Sequence, residues 1–152
     1  MALEFAITSV EARPAASIRL TTTTDKLGQI MGQLFGEIMG AVQPTGVAQA
    51  GMPFARYHEM KSDEVDVECG IPLSAAIETS GRVVATELSG GRVATVTHVG
   101  PYDQLGTTWQ SIMGWVKSEG LTQTGAPWEE YVDDPTKVDP SQLRTEIYVP
   151  VQ

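Results

Sequence analysis

ASIRLTTTTDKLG, running from Ala16 to Gly28, and ATVTHVGPYDQLG, running from Ala94 to Gly106, decide the fold, because they read as two copies of one strand-to-helix passage. Each leads through a polar turn to an aspartate, Asp25 or Asp103, followed two residues later by leucine and then glycine. Working outward, PFARY (Pro53 to Tyr57) matches PWEEY (Pro127 to Tyr131), and VECGIPL (Val67 to Leu73) matches TEIYVPV (Thr145 to Val151). The first and last matches share a displacement of 78 residues. The middle one is shifted by four, because the loop after the first helix is longer. Three matches in one order indicate an internal duplication.

Each half reads alike. Alternating segments come first, Phe5 to Glu11 with Ala16 to Leu20, then Arg82 to Leu88 with Arg92 to Val99. Ser89-Gly90-Gly91 is expected to be a hairpin turn, since glycine tolerates positive φ. A helix follows in each half. Leu27, Ile30, Met31, Leu34, Phe35, Ile38, Met39 and Val42 fall at three- and four-residue spacing, as do Leu105, Trp109, Ile112, Met113 and Val116. Asp25 and Asp103 suit N-cap or first-turn positions, where they complement the helix dipole. Two strands close each half, around Phe54–Met60 and Val65–Leu73, then around Trp128–Asp133 and Leu143–Val151. The expected class is α+β, a strand-rich antiparallel fold with both helices on one face of the sheet. Glycines 28, 32, 36 and 40 recur along the first helix, and each costs about 1 kcal/mol relative to alanine. Close approach of a neighbouring helix or strand is expected to offset that cost. A membrane dimerisation stripe is disfavoured by Gln29, Gln33 and Glu37 among the glycines.

With 152 residues and a hydrophobic fraction of 41%, the chain is long and apolar enough for a packed core. No apolar run is long enough to span a membrane, and MALEFAITSVEARP lacks the pattern of a signal peptide. The lone Cys69 forms no internal disulfide, so a cytoplasmic location is expected. A formal charge of -9 without a basic cluster argues against direct nucleic-acid binding.

Strand alternation singles out the chain's last strand. Leu143, Thr145, Ile147, Val149 and Val151 share one face, while Glu146 and Tyr148 share the other with Arg144 and Pro150. The apolar set belongs under the helices. In the first half Glu68 and Gly70 hold the corresponding outward places, with Cys69 and Ile71 inward. A pseudo-two-fold relation between the halves would bring these strands to one central groove. A carboxylate with aromatic rings suits lipophilic or organic cations, because a bound cation favours the ionised acid and ring faces attract cations. On periodicity alone, Glu146 reads equally as a solvated residue on a half-exposed sheet. Trp128 and Tyr131 have opposite strand parity, so one of them faces the groove. Tyr57 and Tyr131 are repeat equivalents that suit either core or ligand contact, and Tyr102, at the helix entry, suits either turn packing or ligand contact. Trp109 belongs to the apolar helix stripe, and Trp115 suits a groove wall or a helix flank. Neither His58 nor His98 has a repeat equivalent, and no metal-site spacing, nucleophile elbow or phosphate loop is present. No cofactor is expected.

VTHVGPYDQLGTTWQSIMGW (Val96 to Trp115), PWEEYVDDP (Pro127 to Pro135) and LRTEIYVPV (Leu143 to Val151) together resemble the GyrI-like family. That family includes effector-binding domains of multidrug-sensing and AraC-type regulators. The resemblance implies a single domain over residues 1–152, built from tandem β-α-β-β (SHS2-like) modules with halves at about 1–76 and 77–152. It also implies a ligand groove between the modules, with Glu146 in it. Glu68, Tyr57, Tyr102, Trp128, Tyr131 and Tyr148 are the other candidate ligand contacts. The expected partner is a small lipophilic cation or aromatic molecule, bound by a stand-alone sensor or sequestering domain. The family's regulators carry a DNA-binding segment ahead of this domain, and here the first strand begins almost at Met1, so a complete one-component regulator is not expected. Thr22-Thr23-Thr24 also replaces the turn typified by Gly100-Pro101-Tyr102, removing any aromatic contact there. Two alternatives come with the resemblance. One is hydrolysis of cyclopropanoid electrophiles with Glu146 as general base. The other is a protein-interaction role of the gyrase-inhibitor kind, for which no segment names a partner.

Overall fold

The computed structural model describes residues 3–152, so Met1 and Ala2 lie outside the described residues. In chain order its elements are strands β1 (Ala6–Val10) and β2 (Arg13–Thr23), helix α1 (Thr24–Val42), strands β3 (Phe54–Met60), β4 (Glu64–Pro72), β5 (Val84–Leu88) and β6 (Gly91–Val99), helix α2 (Leu105–Ser118), and strands β7 (Trp128–Tyr131) and β8 (Arg144–Pro150). The fold is α+β with antiparallel pairing throughout these strands. Two compact units emerge. A middle unit comprises Glu11–Gly90, and a terminal unit joins Gly91–Gln152 to the segment ending at Val10. The middle unit orders its strands β5-β2-β4-β3 and the terminal unit β1-β6-β8-β7, the same arrangement of repeat-equivalent elements.

The expected hairpin at Ser89-Gly90-Gly91 does not form. A two-residue hairpin would set Leu88 against Gly91, but Leu88 pairs with Arg13 and Gly91 with Val10. Tight hairpin turns need positive φ at their central residues. Neither Ser89 nor Gly90 has it, and the positive value falls on Gly91, at 122°, inside β6. β1 and β5 are therefore exchanged between the units. Because they are repeat equivalents, the exchange replaces like with like at each sheet edge.

In the terminal unit Leu105, Ile112 and Val116 of α2 pack on Ala94, Val96, Ile147, Val149 and Val151, the inward residues of β6 and β8 with the residue that follows. In the middle unit Leu34, Ile38 and Val42 form the buried stripe of α1, which packs on β2 and β4. Burying a side chain of this size stabilises by about 1.5–3 kcal/mol. Asp25 lies in the first turn of α1, whereas Asp103 belongs to a single 3-10 turn, Tyr102–Gln104, ahead of α2. Buried His98 ties that entry together: its Nε2 donates to the Pro101 carbonyl at 3.1 Å, and its Nδ1 shares a hydrogen bond with the Thr108 hydroxyl at 2.7 Å. Among the described residues, no helix is long and apolar enough to cross a membrane.

The glycines of α1 do not meet a neighbour. A methyl group added at Gly28, Gly32, Gly36 or Gly40 would find no atom outside the helix's own turns within 4 Å. The expectation of a close-packed partner within the chain is thus corrected, and these residues lie on the helix's open side. Gly70 of β4 is the opposite case, since a Cβ there would come within 2.4 Å of the Phe54 ring and 2.9 Å of the Ala16 carbonyl oxygen. Gly32→Ala is expected to raise stability by up to about 1 kcal/mol, and Gly70→Ala to lower it by about 1–3 kcal/mol. Urea denaturation midpoints of the two variants check both signs.

Candidate functional site

β8 carries the decisive alternation. Thr145, Ile147, Val149 and Val151 are buried, while Glu146, Tyr148 and Pro150 are half-buried and Arg144 is exposed. β7 pairs with β8 so that Trp128 stands opposite Tyr148, Glu129 opposite Ile147, Glu130 opposite Glu146 and Tyr131 opposite Thr145. Directly opposed residues share a face. Trp128, Glu130, Glu146 and Tyr148 therefore occupy the face away from α2, and Glu129 and Tyr131 the face that α2 covers.

On the first of these faces the rings of Trp128 and Tyr148 stack, with centroids 5.2 Å apart and planes inclined by 16°. The Tyr148 hydroxyl donates to Glu146 Oε2 at 2.6 Å, a short charge-assisted bond, and Trp128 Nε1 donates to Glu130 Oε2 at 3.0 Å. Glu130 is 6% exposed and Trp128 only 1%, so the accessible parts of this constellation are Glu146 and Tyr148. Among the described residues no lysine, arginine or histidine reaches Glu146 within ion-pair distance. Arg144, two residues along the strand, pairs with both oxygens of Asp133, each at 3.0 Å, and interacts with Glu146 through space by charge alone.

On the helical face Tyr131 meets Tyr102 edge-on, with centroids 5.8 Å apart. Trp109 Nε1 donates to the buried Glu129 at 3.3 Å. Burial and the nearby charges of Glu129, Asp133 and Asp134 hold the Tyr102 phenol above its ordinary pKa. Trp115 stacks on Phe5 at 5.4 Å, a helix-flank contact.

The middle unit treats its equivalent carboxylate differently. Glu68 is 5% exposed and stands opposite Arg56 of β3. Its Oε1 accepts from Arg56 Nε at 2.9 Å and lies 2.8 Å from His58 Nε2, while Oε2 accepts from the Ser17 hydroxyl at 2.6 Å. His58 sits where the β3–β4 register shifts between Tyr57 and Glu59. Burial opposes ionisation of Glu68, but the Ser17 and His58 hydrogen bonds and the Arg56 charge outweigh it and hold the carboxyl below its usual range. Tyr57, opposite Val67, lies on the other face of this ladder from Glu68.

Of the seven residues singled out from the sequence, the structure thus brings Glu146, Tyr148 and Trp128 together. It pairs Tyr102 with Tyr131 on the opposite face, and it places Glu68 and Tyr57 in the middle unit. Sequence reasoning missed Glu130, Arg56, His58 and Ser17. The match of PFARY to PWEEY carried a signal, because it sets Arg56 against Glu130 at one repeat position. Among the described residues, no group of three or more His, Cys, Asp or Glu side chains is arranged to hold a metal ion.

The terminal unit thus presents a half-buried carboxylate beside stacked aromatic rings on a duplicated α+β scaffold. The family profile of the GyrI-like small molecule binding domain matches residues 3–152, and the chain belongs to that family. It is similar to the crystal structure of the EcmrR C-terminal domain, at 28% identity and a TM-score of 0.85, covering 100% of this chain and 99% of that one. It is also similar to EcmrR in a cryo-EM structure of its DNA complex, at 26% identity and a TM-score of 0.89, covering 99% of this chain and 57% of that one. The chain therefore spans little more than half the length of that EcmrR chain. A third structure, SAV2435 bound to tetraphenylphosphonium, shares the fold at 10% identity and a TM-score of 0.71, covering 98% of this chain and 94% of that one. No curated protein sequence matches the chain.

A carboxyl whose folded pKa is depressed contributes stability that is complete above the unfolded value, about 4.3 for Glu. That contribution is lost as pH falls through the lower, folded value. The intact chain is accordingly expected to lose stability on acidification below the ordinary carboxylate range. Glu68→Gln is expected to be less stable at neutral pH and to show a shallower acid slope. Urea midpoints followed from neutral pH to about pH 3 check both.

Proposed function

We propose that the ligand is a lipophilic or aromatic cation, and that Glu146 and Tyr148 of the terminal unit receive it with Trp128 behind them. The observation that carries this reading is the state of Glu146. It is a half-buried carboxylate whose hydrogen-bond donor is a tyrosine hydroxyl, with no basic side chain in ion-pair range among the described residues. Partial desolvation strengthens the attraction between such a carboxylate and a cation. The electron-rich face of Tyr148 adds about 0.5–2 kcal/mol for a cation above the ring. The formal charge of -9 further favours cations over anions near the surface. That SAV2435, a protein of the same fold, has been seen with tetraphenylphosphonium makes this compound a suitable probe.

Tetraphenylphosphonium is expected to quench the fluorescence of the indole stacked on Tyr148, saturably and with one affinity. Glu146→Gln should weaken that binding about tenfold or more, equivalent to about 1.4 kcal/mol. Tyr148→Phe should weaken it less, because the ring remains. An unchanged affinity in Glu146→Gln would remove the carboxylate from the account.

A further inference from the structure

Aligning the two ladders by their shared strand order sets Glu68 in the place of Glu146, Phe54 in the place of Trp128, Gly70 in the place of Tyr148 and Arg56 in the place of Glu130. Both units thus put a carboxylate on the non-helical face next to an aromatic ring. They differ in what accompanies it. In the middle unit the guanidinium of Arg56 touches Glu68 through Nε at 2.9 Å and through a terminal nitrogen at 2.8 Å, and its Cζ lies 5.9 Å from the centroid of the Phe54 ring. Two further donors are held by the Glu87 carbonyl at 2.9 Å and the Thr86 hydroxyl at 3.4 Å. Carboxylate, cation and ring are all buried. Gly70 makes room for this arrangement, since a side chain there would strike the Phe54 ring.

We propose that the middle unit carries a second copy of the cation-binding site, filled permanently by the protein's own Arg56. Each chain then takes up one external cation at Glu146, while the equivalent place at Glu68 is occupied from within. The inference rests on the reading of Glu146 for its ligand class only. A guanidinium suits an internal occupant, because its planar fork satisfies a carboxylate from two nitrogens while its face lies against a ring. Removing it would leave a buried carboxylate held by Ser17 and His58 without its guanidinium, and a cavity shaped for a small planar cation.

The test is chemical rescue in the full chain. Arg56→Ala is expected to unfold at lower urea concentration than the unaltered chain, and methylguanidinium is expected to restore much of the loss. At about ten times its Kd, the added cation should lower the apparent unfolding constant about tenfold. Tetramethylammonium at the same ionic strength should not, since it has no N–H to donate. Adding Glu68→Gln to Arg56→Ala should abolish the rescue. Absence of rescue in Arg56→Ala, or rescue that survives Glu68→Gln, overturns the proposal. Should Arg56→Ala be unfolded on its own, recovery of its native fluorescence only with methylguanidinium supports the proposal, and no recovery overturns it. An independent measurement uses the unaltered protein. Titration with tetraphenylphosphonium should give one equivalent per chain, lost in Glu146→Gln, and two equivalents would overturn the self-filled site. If the unaltered chain binds none while methylguanidinium still rescues Arg56→Ala, the reading of Glu146 falls and the self-filled site stands.

Discussion

A carboxylate on a partly covered sheet face must be matched by donors or by positive charge, because desolvation penalises the bare ion. The last strand of each repeat carries such a carboxylate, and much else in the molecule follows from how it is matched. Around Glu68 the protein supplies everything: the Ser17 hydroxyl from β2, and Arg56 and His58 from β3. Three adjacent strands are thereby tied through one side chain. Around Glu146 it supplies one hydroxyl from the same strand, Tyr148, and leaves the group half-exposed. One unit satisfies its carboxylate from within and buries it, and the other leaves it half-exposed.

The scaffold makes this asymmetry possible by keeping geometry and chemistry separate. The inward residues of β6 and β8, with α2 upon them, preserve the apolar pattern of β2 and β4 with α1. The backbone frame is therefore held by packing on one face, while the other face is free to diverge. Gly70 against Tyr148 and Arg56 against Glu130 are divergences of that kind. Even the exposed glycines of α1 fit this division. They lie where nothing packs, so their cost is borne by the buried stripe of Leu34, Ile38 and Val42.

Much of this was legible from residues alone, for identifiable reasons. The 78-residue repeat and the period-two pattern of β8 placed Glu146 and Tyr148 on the face opposite Ile147 and Val149, as observed. Parity alone separated Trp128 from Tyr131. Pairing between strands was harder to read. Ser89-Gly90-Gly91 has the composition of a turn, yet hairpin formation depends on which partner strand wins, and two repeat-equivalent partners compete. β2 begins earlier than expected, at Arg13, because its first residues pair with β5, and the Pro14 carbonyl accepts from Leu73. The Arg56–Glu68 pair lay hidden for a similar reason, since it depends on the β3–β4 register and on a shift at His58 that no spacing announces.

The exchanged strands also bear on how the molecule comes into being on the ribosome. β1 is synthesised before the middle unit, and its partner β6 follows about eighty residues later, after the whole middle unit has been made. The middle unit has all of its own strands once Gly90 is out, and domains generally fold as units during synthesis. During that interval β1, with the uncharged and strand-forming sequence AITSV, lacks its native partner β6. Its repeat counterpart β5 is complementary to the same kind of edge. Vectorial synthesis therefore presents β2 with two candidate neighbours in succession, and the native pairing gives that edge to the later one.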